Sequence, residues 1–250
     1  MKEEILKIEN WIKDFVSNAN ASGVVLGMSG GKDSLVVAKL CVNALGNEKV
    51  LGVIMPNGNM TDKLDAEESC KLLKIPYTII NIENTYNSII SNITPTLNNL
   101  EKQINSVTTI NTAPRVRMTT LYAIAGSLNY LVANTSNLSE TMIGYSTKWG
   151  DNVGDFAPIS NFTKTEVCKI GLELGLPDHL VNKVPSDGLS GQTDEDKLGF
   201  SYKELDNFIR TGEKCNNYEK FILKHKLALH KINGVPRYKN SYPNHFIGEN

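Results

Sequence analysis

A glycine-rich turn between a short apolar run and a helical pattern constrains the fold of this chain more than any other stretch. Residues 24–26 (Val-Val-Leu) predict a buried strand, and residues 35–45 follow helical spacing. Between them, residues 27–34 have the sequence Gly-Met-Ser-Gly-Gly-Lys-Asp-Ser. A strand that ends in such a turn and opens a helix points backbone N–H groups and the positive end of a helix dipole at one place. The stretch therefore predicts an anion-binding site that suits a phosphate.

Strand and helix patterns alternate along the first half of the chain. Strands are predicted at residues 23–28, 50–55, 77–82 and 130–133, and helices at residues 2–20, 34–45, 62–74 and 114–128. This alternation predicts an α/β fold, a doubly wound parallel sheet with helices on both faces. In such sheets ligands bind beyond the carboxyl ends of the strands, which is where the glycine-rich turn lies.

The other segments have weaker patterns. Residues 84–113 are rich in Asn and Thr and predict only a short helix near 85–92, followed by an irregular run. Pro114 is predicted as the first residue of the next helix, where its missing N–H is not needed. The remaining predictions are loops at 145–163 and 184–199, helices with capping boxes at 164–174 and 202–210, and a helix at 217–230.

Composition excludes several classes of protein. A length of 250 residues suits one large domain, and a net charge of −1 gives no basic excess for binding nucleic acid. No apolar run approaches the roughly 18 residues of a membrane span. The four cysteines are scattered and form no Cys-x-x-Cys pair, so no zinc or iron–sulfur site is predicted. Reduced, scattered cysteines and the lack of a signal peptide indicate a cytoplasmic protein.

The turn at residues 27–34 differs from the common P-loop. That motif needs four residues between its glycines and a Ser or Thr after the Lys; here three residues separate Gly27 from Gly31, and Asp33 follows Lys32. The remaining pattern, Ser-Gly-Gly-x-Asp-Ser, offers hydroxyls and a carboxylate that can hold a metal on phosphate oxygens. It resembles the PP-loop of the ATP pyrophosphatase superfamily, which implies an adenine nucleotide α-hydrolase-like fold and cleavage of ATP between its α- and β-phosphates.

Further matches make the resemblance more specific, from about residue 5 to residue 237. They are Arg115-Val116-Arg117-Met118, Thr135 with Glu140, Gly144 to Asp155, Ala157-Pro158-Ile159, Lys164-Thr165-Glu166-Val167, Pro185-Ser186 and Gly191 to Glu195. With the PP-loop, these stretches are similar to those of the ammonia-dependent NAD synthetases. That family adenylates the carboxylate of nicotinic acid adenine dinucleotide (deamido-NAD) with ATP and releases pyrophosphate. Ammonia then displaces AMP to give NAD, in the last step of NAD biosynthesis.

The resemblance also implies a set of site residues. The residues that it implies for ATP binding, through contacts to the phosphates or through hydroxyl groups, are Gly27, Met28, Ser29, Gly30, Gly31, Lys32, Asp33, Ser34, Thr135, Lys164 and Ser186. Asp33 and Glu140 are expected to hold Mg²⁺ and, with Lys164, to act in catalysis. Those for deamido-NAD are Arg115, Lys148, Asp155, His230 and Lys231.

Some positions depart from the family pattern. Ile54 and Met60 stand where relatives usually carry an Arg and a Gln near adenine, so the adenine contacts are open. Ser186 stands where most relatives have Thr. The family places one His-Lys pair over its substrate, and this chain has two, His225-Lys226 and His230-Lys231. The second is preferred because Pro236 follows it at a family-like distance.

Three functional hypotheses follow from these residues. The first is a carbon–nitrogen ligase, an NAD synthetase formed by residues 1–250 as a single domain without a glutaminase or nitrilase domain. Its partners would be ATP, deamido-NAD and ammonia, with a second copy in a homodimer that meets near residues 84–128. The second is another PP-loop amidating enzyme, such as the synthetase half of a GMP synthetase. The third is a non-catalytic nucleotide-binding module. A separate glutaminase that supplies ammonia stays open.

Overall fold

The structure is a computed structural model, which describes residues 1–59, 62–183 and 193–236. Its centre is a four-stranded sheet. The strands are β1 (Gly23–Gly27), β2 (Val50–Ile54), β3 (Tyr77–Ile79) and β4 (Tyr130–Val132). Every pair of neighbours is parallel, in the spatial order β3-β2-β1-β4. The parallel α/β sheet predicted from the alternation of patterns is therefore confirmed.

Helices connect the strands and continue to the end of the described chain. They are α1 (Lys2–Asn18), α2 (Lys32–Leu45), α3 (Lys63–Leu73), α4 (Glu83–Asn99), α5 (Ser106–Leu128), α6 (Leu138–Ile143), α7 (Lys164–Glu173), α8 (Asp178–Val181), α9 (Asp194–Leu198), α10 (Tyr202–Thr211) and α11 (Tyr218–Ile232). No helix within the described ranges is both long and apolar enough to cross a bilayer.

The strand order creates one crevice at the carboxyl edge of the sheet. From β1 the chain winds outward through β2 to β3, and it later returns to the other side of β1 as β4. The order reverses between β1 and β4, so the loops after these strands separate there. Such a switch point is where open α/β sheets bind ligands. Residues 28–31 and 133–137 are the loops that border it.

Apolar residues cover both faces of the sheet. Val24 and Leu26 of β1 pack with α1, α2 and α7, while Val25 between them packs with Val116 and Ala125 of α5. A third cluster joins α6, α9, α10 and α11 around the buried Phe221. Because side chains alternate along a strand, β1 anchors both large clusters, and the loop that follows it starts from a rigid position.

The prediction for residues 84–113 is wrong. Instead of one short helix and an irregular run, the segment contains α4 and the first turns of α5. Its overlooked signal is Tyr86, Ile90, Ile93 and Leu97, which lie at helical spacing and form the half-buried side of α4. Many Asn and Thr residues hide this pattern, because they are common in turns.

Pro114 does not begin a helix. Helix α5 starts at Ser106, and the Asn105 side chain caps it by accepting a hydrogen bond from the Thr108 N–H at 2.9 Å. Pro114 lies inside the helix, where it removes one backbone hydrogen bond. The predicted strand at residues 77–82 is shorter than expected, and α9 lies in a stretch predicted to be irregular. The capping boxes at Thr163 and Ser201 are confirmed.

Candidate active site

The loop after β1 holds its shape through its own hydroxyl groups. The Ser34 Oγ donates to the Gly31 carbonyl at 2.9 Å and lies 3.2 Å from the Ser29 Oγ, which accepts from the Gly31 N–H. Gly30 has φ +79°, and a Cβ there would lie 2.4 Å from the Asp62 carbonyl oxygen. Only glycine fits both constraints. The Ser-Gly-Gly-x-Asp-Ser pattern therefore forms a fixed turn against the start of α3.

Helix α2 begins directly at this turn. Gly31 is its N-cap, and no side chain of the described residues caps it. The first N–H groups of the helix thus remain available, and they carry the positive end of its dipole. Lys32, in the first turn, is 8% exposed. A backbone with free N–H groups and a nearby ammonium is an arrangement that binds phosphate oxygens.

A hydrogen bond closes the crevice between β1 and β4. Asp33, in the first turn of α2, accepts from the Asn137 Nδ2 at 3.2 Å. The fully buried Asn137 also caps α6, since its Oδ1 accepts from the Glu140 N–H at 3.0 Å. One side chain therefore links the carboxylate of Asp33 to the helix that carries Glu140. The two residues predicted to hold a metal lie on opposite sides of the switch point.

Lys164 meets the carboxylates at the bottom of this crevice. Its ammonium lies 2.8 Å from the Glu140 Oε1 and 3.5 Å from the Asp194 Oδ2. It also lies 4.0 Å from the centre of the Tyr202 ring. The Lys164 side chain is 5% exposed, so these contacts replace most of its hydration. We name Asp33, Glu140, Lys164 and Asp194 the carboxylate cluster.

The pKa values of the cluster reflect burial and mutual charge. Burial, with a further contribution from the charge of Asp33, raises the pKa of Glu140 to about 7. The pKa of Asp33 is also raised, by burial, although Lys164 and Asn137 oppose the shift. Burial lowers the pKa of Lys164, but Glu140 and Asp33 outweigh it, so the net shift is upward. The cluster thus holds more negative charge than its lysine neutralises.

This excess of negative charge suits a divalent cation. Asp33 and Glu140 are close enough for each to raise the energy of the other's ionised form. Among the described residues, no three His, Cys, Asp or Glu side chains are placed so that they could hold a metal ion by themselves. Mg²⁺ commonly uses one or two protein carboxylates and takes its other oxygens from phosphates and water. The residues present therefore fit Mg²⁺ carried by a nucleotide better than a metal held by protein alone.

A separate cavity of about 350 Å³ lies beside β4. Asp155 and Lys231, both predicted substrate residues, line it. The Asp155 carboxylate accepts from the Val132 N–H at 2.7 Å and from the Tyr122 hydroxyl at 3.3 Å. The Lys231 ammonium donates to the carbonyls of Gly144 at 2.8 Å and Ser146 at 2.7 Å. We name this 350 Å³ cavity the carbonyl cavity, after the backbone carbonyls that hold Lys231.

The other predicted substrate residues are Arg115, Lys148 and His230, and they do not line the carbonyl cavity. Arg115 donates from Nε to the Lys148 carbonyl at 3.2 Å, so these two residues are brought together. His230 is exposed, and its Nδ1 donates to the Leu227 carbonyl of its own helix at 2.8 Å. In the alternative pair, His225 donates to the Met142 carbonyl at 2.8 Å and Lys226 is exposed.

The structure describes Thr135 and Ile54 but not the other two positions considered for ATP. Thr135 lies half-buried in the loop that follows β4. Ser186 lies outside the described residues, as does Met60 of the adenine wall. Ile54 ends β2 and is fully buried, so its side chain packs in the core.

Sequence reasoning missed several residues of the site. Asn137 and Tyr202 are buried beside the cluster, and Asp194 contacts Lys164. Arg117 donates from Nε to the Met55 carbonyl at 2.9 Å, at the carboxyl end of β2, and burial lowers its pKa. Arg117 and Asp194 belong to stretches that resemble the family, which was a usable signal. The positions of Asn137 and Tyr202 depend on long-range packing.

Comparisons with known proteins identify the family of this chain. A family model described as NAD synthase matches residues 4–242. The NH(3)-dependent NAD(+) synthetase of Carboxydothermus hydrogenoformans is 44% identical over 214 residues, which cover 85% of this chain and 86% of the relative.

Two solved structures have the same fold over nearly their whole length. The NMN synthetase from Francisella tularensis has a TM-score of 0.86 and 33% identity, and the match covers 96% of this chain and 98% of that one. The NH3-dependent NAD synthetase from Campylobacter jejuni has a TM-score of 0.76 and 28% identity, with the same coverage. Because the family model spans most of the sequence and relatives exceed 40% identity, the chain belongs to the NAD synthase family.

Proposed function

We propose that this protein is an amide-forming ligase that converts deamido-NAD to NAD with ATP and ammonia. The observation that carries the proposal is the position of the phosphate-binding turn and the carboxylate cluster at one switch point, in a chain of the NAD synthase family. The ring carboxylate of deamido-NAD attacks the α-phosphorus of ATP, and pyrophosphate leaves. Ammonia then attacks the acyl adenylate, which gives NAD and AMP.

In this proposal the turn and the cluster bind ATP. The backbone of residues 27–31 and the free N–H groups of α2 hold the phosphates, and Lys32 and Lys164 balance their charge. Thr135 and Ser186 supply hydroxyl contacts. Asp33 and Glu140 would hold Mg²⁺, which stabilises negative charge on the departing pyrophosphate. The buried position of Lys164 fixes its ammonium before substrate arrives, which limits reorganisation during the reaction.

The carbonyl cavity would accept deamido-NAD. Lys231 and Asp155 line it, and Arg115 and Lys148 meet at a neighbouring loop. Lys231 is held by two carbonyl groups, so it can still pair with an anionic part of the substrate. This placement supports the pair His230-Lys231 over His225-Lys226, although the His230 ring must turn from Leu227 to reach a ligand.

One assay tests the reaction. The protein is incubated with ATP, Mg²⁺, deamido-NAD and ammonium, and the products are separated by chromatography. Equal amounts of NAD, AMP and pyrophosphate are expected. Formation of ADP would contradict α–β cleavage, and ATP consumption that requires xanthosine monophosphate would favour the GMP synthetase alternative. Glutamine in place of ammonium is the control for nitrogen donor, and it should give no NAD.

A second substrate is favoured by one comparison. The solved NMN synthetase matches this chain with a higher TM-score and identity than the solved NAD synthetase described above. The mononucleotide of nicotinic acid carries the same ring carboxylate as deamido-NAD, so the same adenylation chemistry applies. The ratio of kcat/KM for the two substrates decides between them. A ratio that favours the mononucleotide by more than about 10-fold would make NMN the principal product.

The homodimer is also part of the proposal. Helices α4 and α5 carry exposed apolar side chains, including Ile89, Val107 and Ile110. Such a surface would be covered by the same helices of a second copy. Light scattering should give twice the mass of one chain, and Ile110→Glu should give the monomer.

The proposal includes a cytoplasmic location. The free cysteines, none of them paired within the described residues, support it.

A further inference from the structure

Asp206 joins the two helices that carry the catalytic ion pair. It lies in α10 and is 4% exposed. Its Oδ1 accepts a short hydrogen bond from the Ser139 hydroxyl, and its Oδ2 accepts from the Thr165 N–H at 2.8 Å. Ser139 directly precedes Glu140, and Thr165 directly follows Lys164. One carboxylate therefore contacts a neighbour of each member of the pair.

Ser139 extends this link to Lys164 itself. Its Oγ accepts from the Lys164 backbone N–H at 2.9 Å while its hydrogen is donated to Asp206. Ser139 is fully buried, so neither bond is exchanged with water. The backbone of Lys164 is thus fixed by α6, which carries Glu140, and by α10, which carries Asp206. The side chains of Lys164 and Glu140 meet at 2.8 Å within this frame.

Helix α7 has a capping box in addition to its contacts with Ser139 and Asp206. Thr163 and Glu166 already form a complete capping box at its N-terminus. The Thr163 N–H donates to the Glu166 carboxylate at 2.8 Å, and the Thr163 Oγ1 accepts from the Glu166 N–H at 3.4 Å. The box leaves the N–H groups of Lys164 and Thr165, which donate to Ser139 and Asp206, so Asp206 completes the cap of α7 and also ties this helix end to α10.

We propose that Asp206, acting through Ser139, is a positioning residue that sets the distance between Lys164 and Glu140 for adenylation. This inference rests on the proposed function, because it assigns Lys164 and Glu140 to the adenylation step. Groups that stabilise a transition state must be held within a fraction of an ångström, so a small shift of α7 against α6 slows the chemical step. Substrate affinity changes less, since the ATP-binding turn lies on another helix.

A double-mutant cycle tests this role. The rates of AMP and pyrophosphate formation at saturating substrates are measured for Asp206→Asn, Lys164→Met and the double variant. Asp206→Asn alone should lower kcat about 10-fold with little change in the KM for ATP. In the Lys164→Met background it should lower kcat no further, because the group that it positions is gone. An equal loss in both backgrounds, or no loss in either, overturns the proposal.

Further variants separate positioning from folding. Glu166→Gln is the matched control, because it weakens both the capping box of the same helix and its ion pair with Arg210 of α10 without touching Ser139; its kcat should stay within about twofold of the parent. If Asp206→Asn does not fold, Ser139→Ala is used in the same cycle, since it removes the links from Ser139 to the Lys164 N–H and to Asp206 but keeps the bond between Asp206 and the Thr165 N–H. A parent protein that forms no NAD contradicts the proposed function, whereas an active parent without coupling contradicts only the role of Asp206.

Discussion

Two lysines at the site, one buried and one half-buried, have different environments. Lys164 in the carboxylate cluster contacts Glu140 and Asp194, and its pKa is raised. Lys231 in the carbonyl cavity is held by the carbonyls of Gly144 and Ser146, and burial lowers its pKa. The first lysine pairs with carboxylates, whereas the second donates to backbone carbonyls and feels the carboxylate of Asp151 without a hydrogen bond to it. In the proposed function, this difference fits a cluster that takes a cation and phosphates and a cavity that takes an anionic ligand.

The largest loss of activity is expected for a substitution of Asp33. It tests whether the reaction needs the negative charge of the carboxylate cluster. Asp33→Asn keeps the size of the side chain and removes the charge opposite Glu140. The rate of pyrophosphate release at saturating Mg²⁺ should fall roughly 10²- to 10³-fold, as expected when charge stabilisation in a transition state is lost. Asp14→Asn, at an exposed position of α1, is the control. A rate within a factor of two of the parent would remove Asp33 from its assigned role.

The local structure of the turn at residues 27–34 was easier to predict from the sequence than the contacts around it. Residues 27–34 are contiguous, so the turn, its glycines and the start of α2 follow from local rules. The contact between Asp33 and Asn137 spans 104 positions of sequence, and no local pattern specifies it. Asp206 and Tyr202 were missed for the same reason, since their roles depend on how α10 packs against α6 and α7.

The same distinction applies to the elements of the fold. Strands buried on both faces and helices with capping boxes were predicted well, because apolar runs and Ser or Thr caps are local signals. Helices α4 and α5 were misjudged because their turn-forming residues and Pro114 contradict the helical pattern locally. Packing of the apolar side of α5 against β1 outweighs the cost of that proline.

The second prediction concerns the pH dependence of stability in the carboxylate cluster. The pKa of Glu140 rises from its ordinary value of 4.5 to about 7 on folding, so the folded state binds a proton more tightly than the unfolded state between these values. Stability from this group is complete below pH 4.5 and is lost as pH rises through 7. A shift of two to three pKa units between the unfolded and folded states corresponds to about 3 kcal/mol in the free energy of unfolding.

Urea unfolding at pH 5 and pH 8 measures this effect. The parent should lose about 3 kcal/mol more of its free energy of unfolding than Glu140→Gln between the two values, because the amide does not titrate. Glu219→Gln, at an exposed position of α11, should behave as the parent does. Parallel curves for the parent and Glu140→Gln would show that Lys164 fully compensates Glu140, and the contrast between the two lysines would weaken.

The third prediction tests the carbonyl cavity. Lys231→Met removes a cation that pairs with no carboxylate within hydrogen-bonding distance among the described residues. The KM for deamido-NAD should rise roughly 30-fold with kcat nearly unchanged, because an interaction made equally in the ground and transition states affects binding alone. Lys226→Met changes an exposed lysine of the same helix and should alter neither constant. A loss of kcat at constant KM would place Lys231 with Lys164 in the chemistry.

The smallest expected effect separates the two carboxylates that face Lys164. Asp194→Asn keeps an oxygen that can accept from the Tyr145 hydroxyl, which donates to the Asp194 Oδ1 at 3.0 Å, and it removes the charge 3.5 Å from the lysine. Because Glu140 is nearer to Lys164, at 2.8 Å, it should keep the ammonium in place. The kcat for AMP formation should fall about 5-fold, the equivalent of roughly 1 kcal/mol. A loss as large as that of Asp33→Asn would mean that Asp194 contacts a reacting group, and the ATP site would then extend from α2 to α9.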